Sequence, residues 1–329
     1  YLMKQLSRYA YANTRIKVRI SGLLDEGFFT RAVSVDFAGF IEMLGKTGYA
    51  EIFKPGEHIK PEDFENRLRD KDREIIKKIA RFYSSRNEKN LILLLDERYK
   101  VEELKTALRI WKRRIKGEDI EIPGAFSSLS SAETIDDVVK ILEGSGYSDA
   151  VEKAREDYLK TGSLFPVEVR IDTEYFEKLN KHIEKLSRFD RDIAKKIIGA
   201  EIDRENLLWL GRIHLYYQGK VPSDVSGFIP GGGYIPVEEL KRASLNVSES
   251  IQRMKIPQVY RRVIGLVPNN LAEMDRLLEA IILQLIKRAF IEKPFSIGIP
   301  IGYIFLKLTE TKRITEIFTM KYFTTVVYQ

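Results

Sequence analysis

Apolar residues recur every three or four positions along almost the whole chain, and the exception lies near its C-terminal end. From Pro294 to Leu306 no residue carries a charge, in a chain of which 31% is charged. A bilayer span needs about 20 apolar residues, so this shorter run predicts a helix buried inside a helical domain, or failing that a partner-binding face. Gly298 and Gly302 fall on one side of it, where missing side chains let another helix approach. From Lys307 to Phe323 the pattern turns amphipathic and basic, which predicts one face in and one face out.

The rest of the chain reads as a succession of amphipathic helices. Residues 1–20 place Leu6, Tyr9, Ala10, Asn13, Ile16 and Ile20 at helical spacing, with Arg15, Lys17 and Arg19 on a solvated face. Gly22 ends this helix. The apolar positions Phe28–Phe29, Phe37, Phe40–Ile41 and Leu44 predict two short helices, and Pro55, Gly56 and Pro61 a loop. A densely charged helix of mixed sign follows Pro61, burying Ile75, Ile76, Ile79 and Ala80. The stretch Asn90–Leu95 is too apolar for a surface helix. Leu104 to Trp111 predicts a helix whose end, with Lys112, Arg113, Arg114 and Lys116, complements the helix dipole. Pro123-Gly124 marks a boundary, and Thr134 or Ser131 is the expected cap of the helix from Ile135 to Leu142. Residues 148–160 form a further helix. Phe165 to Val169 reads as a brief extended link, and Thr173 to about Tyr217 as a long helical region.

Two stretches repeat in the same order. Arg73–Lys78 resembles Arg191–Lys196, and Asn90–Leu95 resembles Asn206–Leu210; Glu279–Arg288 followed by Phe295–Leu306 is a weaker third copy. Each predicts a basic amphipathic helix, a turn and a nearly all-apolar helix, which must be covered on every side. The fold expected is all-α, with three helical-bundle repeats at 1–120, 121–230 and 231–329.

Composition narrows the chemistry. The chain has 329 residues, enough for roughly two domains. It contains no cysteine and three histidines far apart (His58, His182 and His214), so thiolate metal sites and cysteine nucleophiles are excluded. Lys- and Glu-rich composition without cysteine resembles a thermophile's surface ion-pair networks. A net charge of +7 points to acidic partners. No secretory signal is expected. The Tyr1 start suggests that a few residues precede it. The sequence has no P-loop and no His-Glu-x-x-His. Gly231-Gly232-Gly233 lacks the Lys-Ser/Thr of a nucleotide loop and reads as a flexible turn. Asp190 and Asp192 around Arg191 read as a surface ion-pair cluster, Asp203 as the cap or beginning of the Asn206 helix, and Asn206 as a packing residue that needs a hydrogen-bond partner if buried. No nucleophile–base pair is visible.

Three motifs carry a resemblance. Tyr11–Arg19 with Leu23-Leu24 and Phe28-Phe29, Asp203–Leu207, and Ile297–Lys307 are similar to the opening, central and C-terminal signatures of the rotary ATPase C/d family. This family comprises the C subunits of archaeal A-type ATP synthases and the d subunits of vacuolar ATPases. The resemblance covers nearly the whole chain, although Arg86–Lys89 departs from the family pattern before Asn90. It implies a funnel of the three repeats with pseudo-three-fold symmetry and a non-catalytic adapter without a cofactor. It also implies a place on the cytoplasmic face of the membrane, between the rotor ring of c or K subunits and the shaft subunits D and F. The candidate partner-contact residues are Lys112, Arg113, Arg114, Arg212 and Lys220. The alternative reading is a basic helical-repeat protein that binds nucleic acid with steep salt dependence. Against it, acidic residues interleave nearly everywhere along the sequence, and nucleic acid is not an expected partner.

Overall fold

The computed structural model describes residues 2–53, 57, 59–217, 228–245, 256–265 and 270–327. The chain is all-α, and among the described residues there are fourteen α-helices and no strand. Its contacts divide it into two compact units, residues 1–93 with 289–329, and residues 94–288.

The first unit joins the two ends of the chain. It contains α1 (Leu2–Ile20), α2 (Glu26–Ser34), α3 (Phe37–Gly45), α4 (Pro61–Ala80), α5 (Arg86–Leu94) and, from the other end, α14 (Gly298–Val327). Asp25 and Asp36 cap α2 and α3 by accepting from Phe28 N and Gly39 N. Pro61, expected in a loop, is instead the first residue of α4, where its missing N–H costs nothing. Helix α14 packs against α1, α3 and α4. Its first turn accommodates Pro300, and Ile297, Ile299, Ile301, Tyr303 and Ile304 are all buried, as the uncharged run predicts. Beyond it, Ile314, Ile317 and Phe318 face inward at helical spacing, and the Phe318 ring stacks on Phe64 with centroids 3.9 Å apart.

The second unit contains α6 (Glu97–Arg114), α7 (Ile135–Ile141), α8 (Ser148–Thr161), α9 (Phe165–Ile183), α10 (Arg188–Tyr217), α11 (Val237–Leu245), α12 (Gln258–Ile264) and α13 (Leu271–Glu292). Thr134 is the cap of α7, in a capping box with Asp137. The expected extended link at 165–169 is the first turn of α9. Pro166 stands near its N-terminus, where proline is pre-organised for helix and no intrahelical N–H is lost. The helical region expected from Thr173 to Tyr217 is two helices, parted at residues 184–187. Ser187 and Asp190 cap the second of these reciprocally, so Asp190 is buried rather than part of a surface cluster. Its neighbour Arg191 turns back to Glu184, 3.3 Å away. The second repeat has no turn between its halves, because both lie within α10.

Candidate functional site

The basic end of α6 folds the following connector against itself. Lys112 Nζ donates to the Tyr158 hydroxyl at 2.7 Å and stands 4.5 Å from the centre of that ring. Arg113 Nε donates to Glu118 at 2.8 Å, and Arg114 donates to the Ile120 carbonyl at 2.5 Å. Arg212, on α10, stacks 4.5 Å from the Trp209 ring centre. The three α6 cations thus lie together by sequence and each has a partner within its own unit. Lys220 lies outside the described residues.

A larger cluster of charges is buried in the same unit, and sequence reasoning missed it. From α6, Arg98 pairs with Glu205 of α10 at 2.5 Å and with Glu102 at 3.1 Å. Two turns on, Lys105 grips Asp172 of α9 with bonds of 3.0 and 3.2 Å to its two oxygens, and Glu102 at 3.0 Å. Arg204 joins Glu201, Glu205 and Asp275 of α13 at 2.8, 3.4 and 2.6 Å. At the exposed end of the row Arg109 forks onto Glu168, both bonds 2.7 Å. Burial alone would raise the carboxyls of Asp172 and Glu205. It pushes Asp172 up to about 6 against the pull of Lys105, whereas Arg98 and Arg204 overcome it at Glu205 and hold that carboxyl far below the ordinary range. The available signal was the stripe Arg98, Glu102, Lys105, Arg109 on one face of α6, continued by Glu168 and Asp172 once 165–183 is recognised as helix.

The central motif has a different task from the one its sequence suggests. Asp203 is no cap. It sits in the interior of α10, fully buried, and accepts from the backbone N–H groups of Tyr234 and Ile235 at 2.8 and 3.3 Å. Asn206 takes both the N–H and the carbonyl of Ile229, at 2.7 and 2.9 Å. Between these anchors the glycine run is laid onto the helix rather than left as a flexible turn. Gly233 N donates to Gly199 O at 3.0 Å, and a Cβ on Gly199 would stand 2.8 Å from the Gly233 backbone. Only glycine permits that approach, and Gly231 in addition adopts a φ of +90°.

In the first unit the other two motifs meet. Asn13, buried on α1, donates to the carbonyls of Pro294 and Ser296 at 3.1 and 3.0 Å and accepts from the Tyr83 hydroxyl at 2.9 Å. Contrary to the expected outward basic face, Lys307 and Lys321 of α14 are buried. Lys307 bonds Glu310 at 2.8 Å and the Tyr49 hydroxyl at 2.5 Å, and Lys321 donates to Val33 O at 3.0 Å and to Val35 O, satisfying the last carbonyls of α2. Asp72 accepts from Thr311 at 2.6 Å. Among the described residues no group of three or more His, Asp or Glu side chains is placed to hold a metal ion. None of their helices is long and apolar enough to cross a membrane.

The family model described as ATP synthase (C/AC39) subunit matches residues 12–324. The chain belongs to this family. Among similar proteins, the A-type ATP synthase C subunit of Methanothermobacter thermautotrophicus is 25% identical over 337 residues, covering 94% of this chain and 83% of that protein. Its counterpart in Thermococcus onnurineus is 23% identical and covers 94% and 85% of the two chains. The V-type ATP synthase C subunit of Thermus thermophilus is 23% identical and covers 96% and 94%. In this member of the C/AC39 family, the three motifs that carried the resemblance are places where buried polar side chains tie distant segments together.

Proposed function

We propose that this chain is the non-catalytic adapter of a rotary A/V-type ATP synthase, linking the membrane rotor ring to the central shaft and transmitting torque for ATP synthesis coupled to proton or sodium transport. The family match across residues 12–324 carries this reading. In it, the chain rests peripherally on the cytoplasmic face, with the ring of c or K subunits on one side and the shaft subunits D and F on the other. ATP chemistry and ion transfer occur on other subunits. The repeats at 1–120, 121–230 and 231–329 are read as duplicated units of one body.

A torque-bearing body must resist sliding of its helices. The buried charges on α6, α9, α10 and α13 favour that role, because a hydrogen-bonded ion pair has one good register and a sheared one leaves charges unpaired. Lys112, Arg113, Arg114, Arg212 and Lys220 are proposed partner contacts; charge reversal there that leaves assembly unchanged at low salt overturns that assignment. The reading as a whole is tested by co-sedimentation with detergent-solubilised rotor ring, with and without the central-stalk subunits, at low and high salt. A stoichiometric ring complex that the stalk extends is the expected result. Binding to neither would overturn the adapter.

A further inference from the structure

The positive balance of the chain, dispersed in sequence, has a location in the fold. Residues 9–19 contain three cations and no carboxylate, and residues 77–89 contain five cations and one carboxylate, Glu88. Helix α1 brings these stretches together at the corner between α4 and α5. The rings of Tyr11 and Phe82 meet edge to face with centroids 6.0 Å apart, and the Arg15 guanidinium lies 5.0 Å from the first ring centre and 5.8 Å from the second. Beside them, the Tyr83 hydroxyl reaches Asn13. Glu88 does not offset the charge at the surface, because it is buried and accepts from the Tyr9 hydroxyl at 2.8 Å.

The local excess of seven positive charges equals the net charge of the whole chain, so everywhere else cations and carboxylates balance. Many exposed cations elsewhere are neutralised at short range, as in Lys46–Glu42, Arg113–Glu118 and Arg276–Glu273. At this corner Lys78 reaches Glu74 at 3.3 Å, but Arg15, Lys77, Arg81 and Arg86 are exposed and, among the described residues, form no ion pair. Like charges left together repel one another, a cost that an anionic partner removes.

The same face is also apolar. Tyr11 is 61% and Val18 69% exposed, two helical turns apart on α1 with Arg15 between them. Tyrosine and arginine standing together on a rigid helix match the composition of protein interfaces. We infer that the face formed by residues 11–18 of α1 and the α4–α5 corner docks an acidic, partly apolar protein surface on another subunit of the complex. This assignment rests on the adapter reading above and adds to it a surface that the candidate residues on α6 and α10 do not include.

The test uses the full chain carrying Arg15→Glu, Arg81→Glu and Arg86→Glu, with a Lys140→Glu, Lys153→Glu, Lys160→Glu chain as a control of equal charge change. Each is titrated against ATP synthase complex depleted of this subunit, at low and high salt, and against anionic phospholipid vesicles and a single-stranded oligonucleotide. All the altered side chains are exposed, so thermal midpoints are expected to match that of the unaltered chain. The expected result is about tenfold or greater weakening toward the complex at low salt, narrowing at high salt, with the control within about twofold of the unaltered chain. Equal binding of all three chains overturns this inference alone. So does a loss confined to vesicles or to the oligonucleotide, which would make the face a membrane or nucleic-acid surface. Failure of the unaltered chain to bind the depleted complex overturns the adapter reading along with it.

Discussion

Asp203 shows what one side chain does here. Its carboxylate is removed from water and answers two backbone N–H groups of a segment some thirty residues further along the chain. Burial pushes its carboxyl up to about 7 from an ordinary 3.8, and the backbone donors only partly oppose this. Between those values the folded chain holds a proton that the unfolded chain releases, so this group lowers stability as pH rises from about 4 to about 7. Replacement by asparagine, which does not titrate, removes that slope. The stability difference between the unaltered chain and Asp203→Asn, from urea unfolding at several pH values, is expected to shift against the unaltered chain by about 2–4 kcal/mol across the window. A difference that stays constant with pH would refute the assignment. The sequence alone could identify Asp203 and Asn206 as a polar pair on an apolar helix. It could not show that their partners are backbone groups of residues 229–235, because those hydrogen bonds are not local.

At the scale of helices, α6, α9 and α10 are fastened by charge as well as by apolar contact. The pair Lys105–Asp172 is almost wholly withdrawn from solvent, at 3% and 0% exposure. Removing one partner leaves the other buried and uncompensated, whereas removing both need not. Lys105→Met is therefore expected to cost about 3–5 kcal/mol, and adding Asp172→Leu to recover part of that, with a coupling of about 1–3 kcal/mol in a double-mutant cycle. Guanidinium unfolding of the four chains measures it, and strictly additive losses would show that the pair does not act as a unit. This cluster escaped a reading by periodicity because a charged stripe looks the same whether it faces water or three other helices. Arg98, Glu102, Lys105 and Arg109 have the three- and four-residue spacing of solvated pairs, and only the carboxylates arriving from α9 and α10 draw Arg98 and Lys105 out of solvent.

For the molecule as a whole, the closing of the chain ends on each other has a consequence. The core around Phe28, Phe40 and Phe64 is completed by Ile314, Ile317 and Phe318 of α14. The core around Trp209, Leu240, Tyr260 and Met274 draws, among the described residues, on residues 165–281. A chain ending before Gly298 is expected to lose amide protection across residues 26–80, to rates near those of the unfolded chain, and to keep it across residues 97–217. Hydrogen exchange read by mass spectrometry decides this, and protection retained in both stretches would show that α14 is dispensable.

The sequence by itself determined the helical class, the burial of the uncharged run at 297–306 and the family. Those features are written in local spacing, or in motifs whose residues stand next to one another. Other matters were left to the tertiary structure. It decided that Lys307 and Lys321 point inward, and that residues 165–169 begin a helix. It decided too that a glycine run lies pressed on α10, and that exposed cations without a carboxylate partner gather beside Tyr11 and Phe82. The physical reason is the same in each case. Where a charge or a backbone group comes to rest depends on which partner can satisfy it, and here those partners are brought by helices distant in the chain.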